Sequence, residues 1–330
     1  MNNIFTPDDI DFSLYMRETD VQAKVKPASA YLQTLKDNLR RKHNEVKIRL
    51  PWECAKDDFA FRPGEVTVWA GQSGHGKSQI TAQVALSLMA QDQKVIFASF
   101  ELKPDVNLER LSRMFIGMNP FSPEFQGKDG VEAVDDLYEQ FITATKGKLY
   151  FYDHKGSIEG EKIVAMARFC AKEKGIHHII IDNLAKCIRH EDDYNGQKAF
   201  VDDMTLVAQD YNVHIHLVHH LKKPPKETER PDKSDVKGSG SIVDQPDNLF
   251  LVWRNKGKED ERKEIPRESD RKKRQEPDQL LLCKKQRNHN GVGEGEPTLF
   301  LWYHRDSGQY LDQEGQRPRM FVNPWPHNPS

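Results

Sequence analysis

One octapeptide constrains this chain more than any other feature. Gly71-Gln72-Ser73-Gly74-His75-Gly76-Lys77-Ser78 fits G-x-x-x-x-G-K-[ST], the pattern of a phosphate-binding loop. In such a loop backbone N–H groups must converge on phosphate oxygens, and glycine lets the chain curl that tightly. The flanks supply the required context. GEVTVWA reads as a strand running in, and SQITAQVALSLMA as a helix running out. All eight residues are therefore candidates for nucleotide binding. Lys77 brings a point charge to the β- and γ-phosphates, and the Ser78 hydroxyl is placed for Mg²⁺.

The rest of the chain continues the alternation. Apolar, Val- and Ile-rich runs at 66–70, 94–100, 149–152, 179–182 and 213–218 read as buried strands. Helical patterns at 84–89, 108–116, 163–171 and 200–209 separate them. This order gives an α/β fold, a mostly parallel sheet with helices on both faces. Three further strands, 249–253, 280–283 and 298–303, follow without long helices between them and are expected as an added antiparallel edge.

Two carboxylates and a histidine complete a candidate hydrolytic site. Ile179-Ile180-Ile181-Asp182 is an apolar strand ending in Asp, which delivers a metal-binding carboxylate to the carboxyl edge of the sheet beside the loop. Glu101 directly follows the strand VIFASF and emerges at the same edge, where hydrolysis needs a carboxylate to orient and deprotonate water. His214, His216, His219 and His220 invite a zinc reading, but no cysteine or nearby carboxylate completes a tetrahedral set. At the strand's end, His220 is better suited to sense the γ-phosphate as a neutral imidazole donor.

Composition narrows the function classes. Lys+Arg 49 against Asp+Glu 51 excludes a globally basic coat for nucleic acid, while leaving room for a basic channel on one face. Cys54, Cys170, Cys187 and Cys283 lie far apart with no C-x-x-C, which argues against a zinc module or disulfide scaffold. No apolar run approaches the ~18 residues that span a bilayer, and the acidic, Asn-rich start is no signal peptide, so a cytoplasmic protein without membrane partners is expected. Near the N-terminus, Leu32, Leu35 and Leu39 form one narrow apolar stripe after Pro27, followed by Arg40, Arg41 and Lys42. That helix either packs on its own domain or docks on a neighbouring subunit. Segment 222–240 carries six basic and four acidic residues with three prolines, and 17 of the 25 residues in 255–279 are charged. Neither buries enough apolar surface to order itself, so both are expected as mobile loops.

The later motifs give these pieces a family. Val218-His219-His220-Leu221-Lys222-Lys223-Pro224, Asp235-Val236-Lys237-Gly238-Ser239-Gly240-Ser241-Ile242 and Asp247-Asn248-Leu249-Phe250-Leu251-Val252-Trp253-Arg254-Asn255 come in order. Cys283-Lys284-Lys285-Gln286-Arg287-Asn288, Gly291, Gly293 and Tyr303-His304-Arg305-Asp306-Ser307-Gly308 follow. The set resembles the DnaB-type hexameric replicative helicases with a RecA-like core, in particular the helicase half of phage primase–helicases and the mitochondrial Twinkle helicase, over about residues 46–312. The resemblance implies ATP or another NTP or dNTP with its phosphates on Lys77 and Ser78, Mg²⁺ held by Ser78 and Asp182, and Glu101 as base. It implies that His220 couples γ-phosphate state to the adjoining DNA loop. Lys285 and Arg287 would enter the neighbouring subunit's site, Arg287 as an arginine finger, while Arg254 and Tyr303 sandwich the nucleotide base. Lys222, Lys237, Gly238 and Ser239 would hold DNA phosphates in a central channel.

The resulting expectation is a replicative DNA helicase, phage-encoded, that forms a ring, hexameric in the resemblance, on single-stranded and forked DNA. Its domains are a 1–45 extension whose helix docks on a neighbouring subunit, a 46–315 RecA-like P-loop NTPase core and a 316–330 tail. No primase segment precedes the core, so a separate primase and polymerase are expected. The segment 255–279 reads as a solvated insertion between two edge strands. The rivals are a strand-exchange recombinase filament on the same core and a helicase-loader type of ATP switch.

Overall fold

The computed structural model describes residues 4–15, 28–33, 35–36, 47–154, 156–188, 193–223, 229–263, 275–288 and 297–321. Leu39, the basic triplet 40–42, and Gly291 and Gly293 lie outside them. Among the described residues ten strands form one sheet, numbered in chain order: β1 (Ile4–Phe5), β2 (Val66–Gly71), β3 (Val95–Ser99), β4 (Leu149–Tyr152), β5 (His178–Asp182), β6 (His214–His220), β7 (Asn248–Arg254), β8 (Gln279–Gln286), β9 (Thr298–His304) and β10 (Gln309–Leu311). Their spatial order is β1-β4-β3-β5-β6-β2-β7-β8-β9-β10.

All pairs from β1 through β7 are parallel, and those from β7 through β10 are antiparallel. The antiparallel edge expected from residue 249 onward thus begins one strand later. β7 pairs in parallel with β2, with Val68 opposite Leu249 and Gly71 opposite Val252. The short helix α6 (Ser241–Asp244) and the turn after it are enough to carry the chain back to the amino edge of the sheet.

The other helices are α1 (Lys77–Ala90), α2 (Pro104–Ile116), α3 (Lys128–Thr145), α4 (Gly160–Lys174), α5 (Tyr194–Tyr211) and α7 (Lys256–Lys263). α1, α2 and α3 cover one face, packing around Trp69, Phe97 and Phe250. α4 and α5 cover the other, around Val68, Ile96, Ile179 and Leu249. Alternate residues of each strand feed opposite cores, which is why these strands are apolar throughout instead of alternating with polar residues. No helix among the described residues is long and apolar enough to cross a membrane.

The N-terminal residues 4–15 lie on this core. β1 extends the sheet beyond β4, Ile10 is buried, and the Arg168 guanidinium donates to the Tyr15 carbonyl. At the other end the Phe321 ring stacks on Phe115 of α2. Leu32 and Leu35 of the apolar stripe are 53% and 63% exposed.

Candidate functional site

The parallel topology brings the candidate residues to one edge. β2 ends at Gly71, opposite His220 at the end of β6, and β3 ends at Ser99, opposite Asp182 at the end of β5. The carboxyl ends of four strands therefore open onto the turn that carries residues 71–78. Gly74 and Gly76 both have positive φ, and a side chain at Gly76 would collide with the Tyr310 hydroxyl, so the motif's second glycine is required twice over. The helix α1 starts at Lys77 and points its N-terminus, with its free N–H groups, into the cleft. The cleft holds about 750 Å³ and is lined by phosphate-loop residues together with Glu101, Arg110, His220, Arg254, Glu259 and Tyr303.

Lys77 is buried, and its ammonium donates to the carbonyls of Gly71 and Gln72, each at 2.9 Å. Burial lowers its pKa, opposed by the charges of Asp182 and Glu101. The Ser78 hydroxyl donates to Asp182 Oδ2 at 2.6 Å. Burial raises the Asp182 pKa, opposed by that hydrogen bond. A hydroxyl and a carboxylate side by side at the helix N-terminus are hard oxygen donors, which fits Mg²⁺, an ion that keeps several waters and takes few protein ligands. Among the described residues no group of three or more His, Cys, Asp or Glu is arranged to hold a metal ion.

Glu101 and His220 stand 3.9 Å apart, and Asn183 bridges them. Its amide nitrogen donates to Glu101 Oε1 and contacts His220 Nε2 at 2.9 Å. The neighbouring His220, with the Asn183 amide, holds the Glu101 carboxyl below its usual pKa, against the opposing effect of burial. Sequence reading missed Asn183. It also missed Arg110, which reaches the cleft from α2, has a buried Nη1 without a hydrogen-bond partner, and is lowered in pKa by burial. The signal available for Arg110 is its place in the helix that leaves Glu101; for Asn183 it is adjacency to the strand-end Asp182.

At the other end of the cleft Arg254 and Tyr303 face the same space. Tyr303 packs against Tyr310, with ring centroids 5.1 Å apart. Arg254 donates through Nε to Glu259 at 2.6 Å and through Nη1 to the Gly74 carbonyl at 3.0 Å. Glu259 belongs to α7, so the charged segment 255–279 is not wholly the solvated loop its composition suggested. Lys258 is buried and pairs with buried Asp278 at 3.1 Å, closing the two ends of the segment on each other. Two opposite charges, far apart in sequence, do what apolar surface does not do here. Residues 264–274 of the segment lie outside the described residues.

The second charged segment is likewise held down where it is described. Val236 is buried and bridges to Leu221, and the Lys237 N–H donates to the His220 carbonyl at 3.1 Å. Gln72 of the phosphate loop donates to the Lys222 carbonyl at 2.9 Å, and the Lys222 ammonium to the Ser234 carbonyl. Gly238 has φ +94°, and Ser239 N–H donates to Gln197 Oε1 of α5. Residues 224–228 of the segment lie outside the described ones.

Lys285 and Arg287 sit elsewhere. β8 runs antiparallel from the carboxyl edge, with Gln279 opposite Arg254 and Gln286 opposite Asn248. This delivers both cations to the amino edge, about 20 Å along the sheet from the phosphate loop at ~3.3 Å per residue. Both donate to the Asp244 carbonyl at the end of α6, and Arg287 also pairs with Asp247 at 3.4 Å. A register shift between Leu249 and Phe250 leaves Lys284 as an extra residue, which pairs with Asp232 at 3.3 Å.

His214 and His216 are structural. His178 joins His214 and His216 in a buried layer against Phe61 and Trp69. Trp69 Nε1 donates to His216 Nδ1 at 3.2 Å, and His216 Nε2 faces His178 Nδ1 at 3.0 Å. His214 bonds Thr67 Oγ1 at 2.8 Å and the Arg62 carbonyl at 2.7 Å. His220 alone among the four expected histidines lines the cleft.

A phosphate loop between a parallel strand and a helix, with Asp and Glu from two further strand ends at the same edge, defines a RecA-like P-loop nucleotide hydrolase. Residues 58–294 match the model of the DnaB-like helicase C terminal domain, and the chain belongs to that family. Among solved structures, another protein's ATPase domain superposes with a TM-score of 0.68 at 16% identity, over 88% of this chain and 100% of that one. A DnaB-like replicative helicase, described together with its interactions with primase, gives 0.65 at 16% identity over 88% of this chain and 68% of the other. At such identity the likeness is one of fold.

Proposed function

We propose that this chain is the motor of a ring-forming replicative DNA helicase, which hydrolyses ATP or another NTP or dNTP to move along single-stranded DNA and unwind forked DNA. The observation that carries the reading is the stitching of the nucleotide cleft to the lysine-bearing loop. Gln72 bonds Lys222, and His219 and His220 hold both backbone groups of Lys237, so phosphate contacts and DNA contacts share one set of hydrogen bonds. Channel contacts to backbone phosphates rather than bases make translocation independent of sequence.

In this mechanism the N–H groups of 74–78 and Lys77 bind the β- and γ-phosphates, and Ser78 and Asp182 hold Mg²⁺. Held there, the ion would supply neutralisation of the negative charge on the phosphates. Glu101 orients and deprotonates the attacking water. Arg254 and Tyr303 enclose the base. Lys285 and Arg287, too far from their own phosphate loop, serve the neighbour's, which is why the assembly closes into a ring, hexameric as in the resemblance. Residues 4–15 lie on their own core, and the exposed Leu32 and Leu35 suit the rest of the 1–45 extension to dock on that neighbour, with 46–315 as the motor and 316–330 as its tail. A primase and a polymerase act with it, and on the resemblance to phage primase–helicases we read it as phage-encoded and cytoplasmic in the infected cell.

Strand displacement on forked DNA tests the reading. The wild-type protein separates the fork with nucleotide and Mg²⁺, and Lys77→Ala does not. Open filaments that exchange strands without displacing them point to the recombinase, and nucleotide binding without DNA-stimulated turnover points to a loader-type switch.

A further inference from the structure

The geometry points to Asn183 as a positioning residue that ties the base Glu101 to the sensor His220, and through His220 to the DNA loop. This inference rests on the helicase reading and adds to it the connection by which DNA sets the rate of hydrolysis.

The chemistry of the three groups fixes their hydrogen bonding. Glu101 as a carboxylate only accepts, so the amide nitrogen of Asn183, not its oxygen, must face Oε1. The second proton of that nitrogen points to His220 Nε2 at 2.9 Å. His220 therefore accepts at Nε2 and, as a neutral ring, carries its proton on Nδ1. One amide thus occupies a lone pair of the base and the lone pair of the sensor together.

Two observations show that this amide is held for its donors. Asn183 is 1% exposed, and its Oδ1 is buried without a hydrogen-bond partner, a rare condition in a folded protein. Its backbone is fixed independently, since its carbonyl accepts from the Lys186 N–H at the start of the 3-10 turn Leu184–Cys187. The side chain is then a rigid two-pronged donor beside the metal-side Asp182.

The path continues outward from His220. Its carbonyl accepts from Lys237 N–H, and His219 Nε2 donates to the Lys237 carbonyl. A shift of Lys237 toward a DNA phosphate pulls on the end of β6 and changes the distance from His220 Nε2 to Asn183. With His220 withdrawn, the amide keeps one partner instead of two and can turn away from Oε1, which raises the basicity of Glu101 toward water. Without DNA the amide's hydrogen bond keeps the base weak.

The test is the ratio of steady-state turnover with and without single-stranded DNA, measured on the full chain for Asn183→Ala and Asn183→Leu. The second variant keeps the volume while removing both donors and adding no charge beside Glu101, so it serves where Asn183→Ala fails to fold. The expected result is a stimulation ratio at least ~5-fold below wild type, with KM for nucleotide and Kd for DNA within about twofold, because only the coupling is cut. A ratio within about twofold of wild type in a folded variant overturns the inference. So does an equal fall of both rates, which marks a packing role only. A wild-type protein whose turnover ignores DNA overturns the helicase reading, and this inference with it.

Discussion

The residues most easily found are those whose chemistry fixes their neighbours in sequence. A phosphate loop needs glycines and a lysine at set spacing, so Gly71 to Ser78 stand out at once. Lys77→Ala is expected to abolish hydrolysis, as seen in a phosphate-release assay, because the loop loses its only side-chain cation. Glu101→Gln is expected to bind nucleotide normally and turn over at least ~100-fold more slowly, since a positioned base contributes 10²–10⁴; near-normal turnover places the base elsewhere. Asn183 and Arg110 were not legible, because their importance lies in what the fold sets beside them. An Asn after a strand-end Asp reads as a turn residue, and an Arg in a helix as a solvated one. Only the approach of β6 to β5, and of α2 to the sheet edge, gives them partners.

At the scale of elements, the buried strands were legible because both of their faces are apolar. The helix α3, the two-residue β1 and the three-residue β10 went unread; the strands are too short for any periodicity to show, and α3 mixes exposed Val131 and Ile142 with buried Leu137 and Phe141. The charged insertion misled because composition counts charges without pairing them. Lys258→Met should cost ~3–5 kcal/mol in a denaturant melt, the range for stranding a buried partner, here Asp278, and Asp278→Asn added to it should recover part of the loss. The histidine layer on β5 and β6 predicts an acid sensitivity. Burial lowers the His214 pKa from 6.5 to about 4, opposed by its bond to the Arg62 carbonyl. The unfolded chain takes up a proton below pH 6.5 and the folded one does not. The stability contribution is therefore whole above pH 6.5 and is lost progressively as pH falls toward about 4, by up to ~3 kcal/mol for this group. Thermal melts should show Tm steady from about pH 8 to 7 and falling from about 6.5 to 5; a Tm unchanged at about pH 5 removes the buried-histidine account.

For the whole molecule the claim is that one chain holds half of two sites. On the DNA side, changing Lys222 and Lys237 together to Ala should flatten the salt dependence of single-strand binding by up to about two units, one per lost phosphate contact, in a fluorescence titration. On the nucleotide side, the direction of β8 separates Arg287 from its own phosphate loop by the length of the strand, a reason invisible in the sequence, where a place on or just after an edge strand can be read but not the direction in which that strand runs. An arginine reaching the neighbour's transferred phosphoryl group is worth 10³–10⁵ in rate in related hydrolases. Subunit mixing tests this most directly. Arg287→Ala assemblies and Lys77→Ala assemblies should each be inactive, and mixing them should restore part of the hydrolysis, from interfaces where an intact loop meets an intact arginine. If mixed assembly is shown independently and no hydrolysis returns, Arg287 acts within its own subunit and the ring loses its chemical basis.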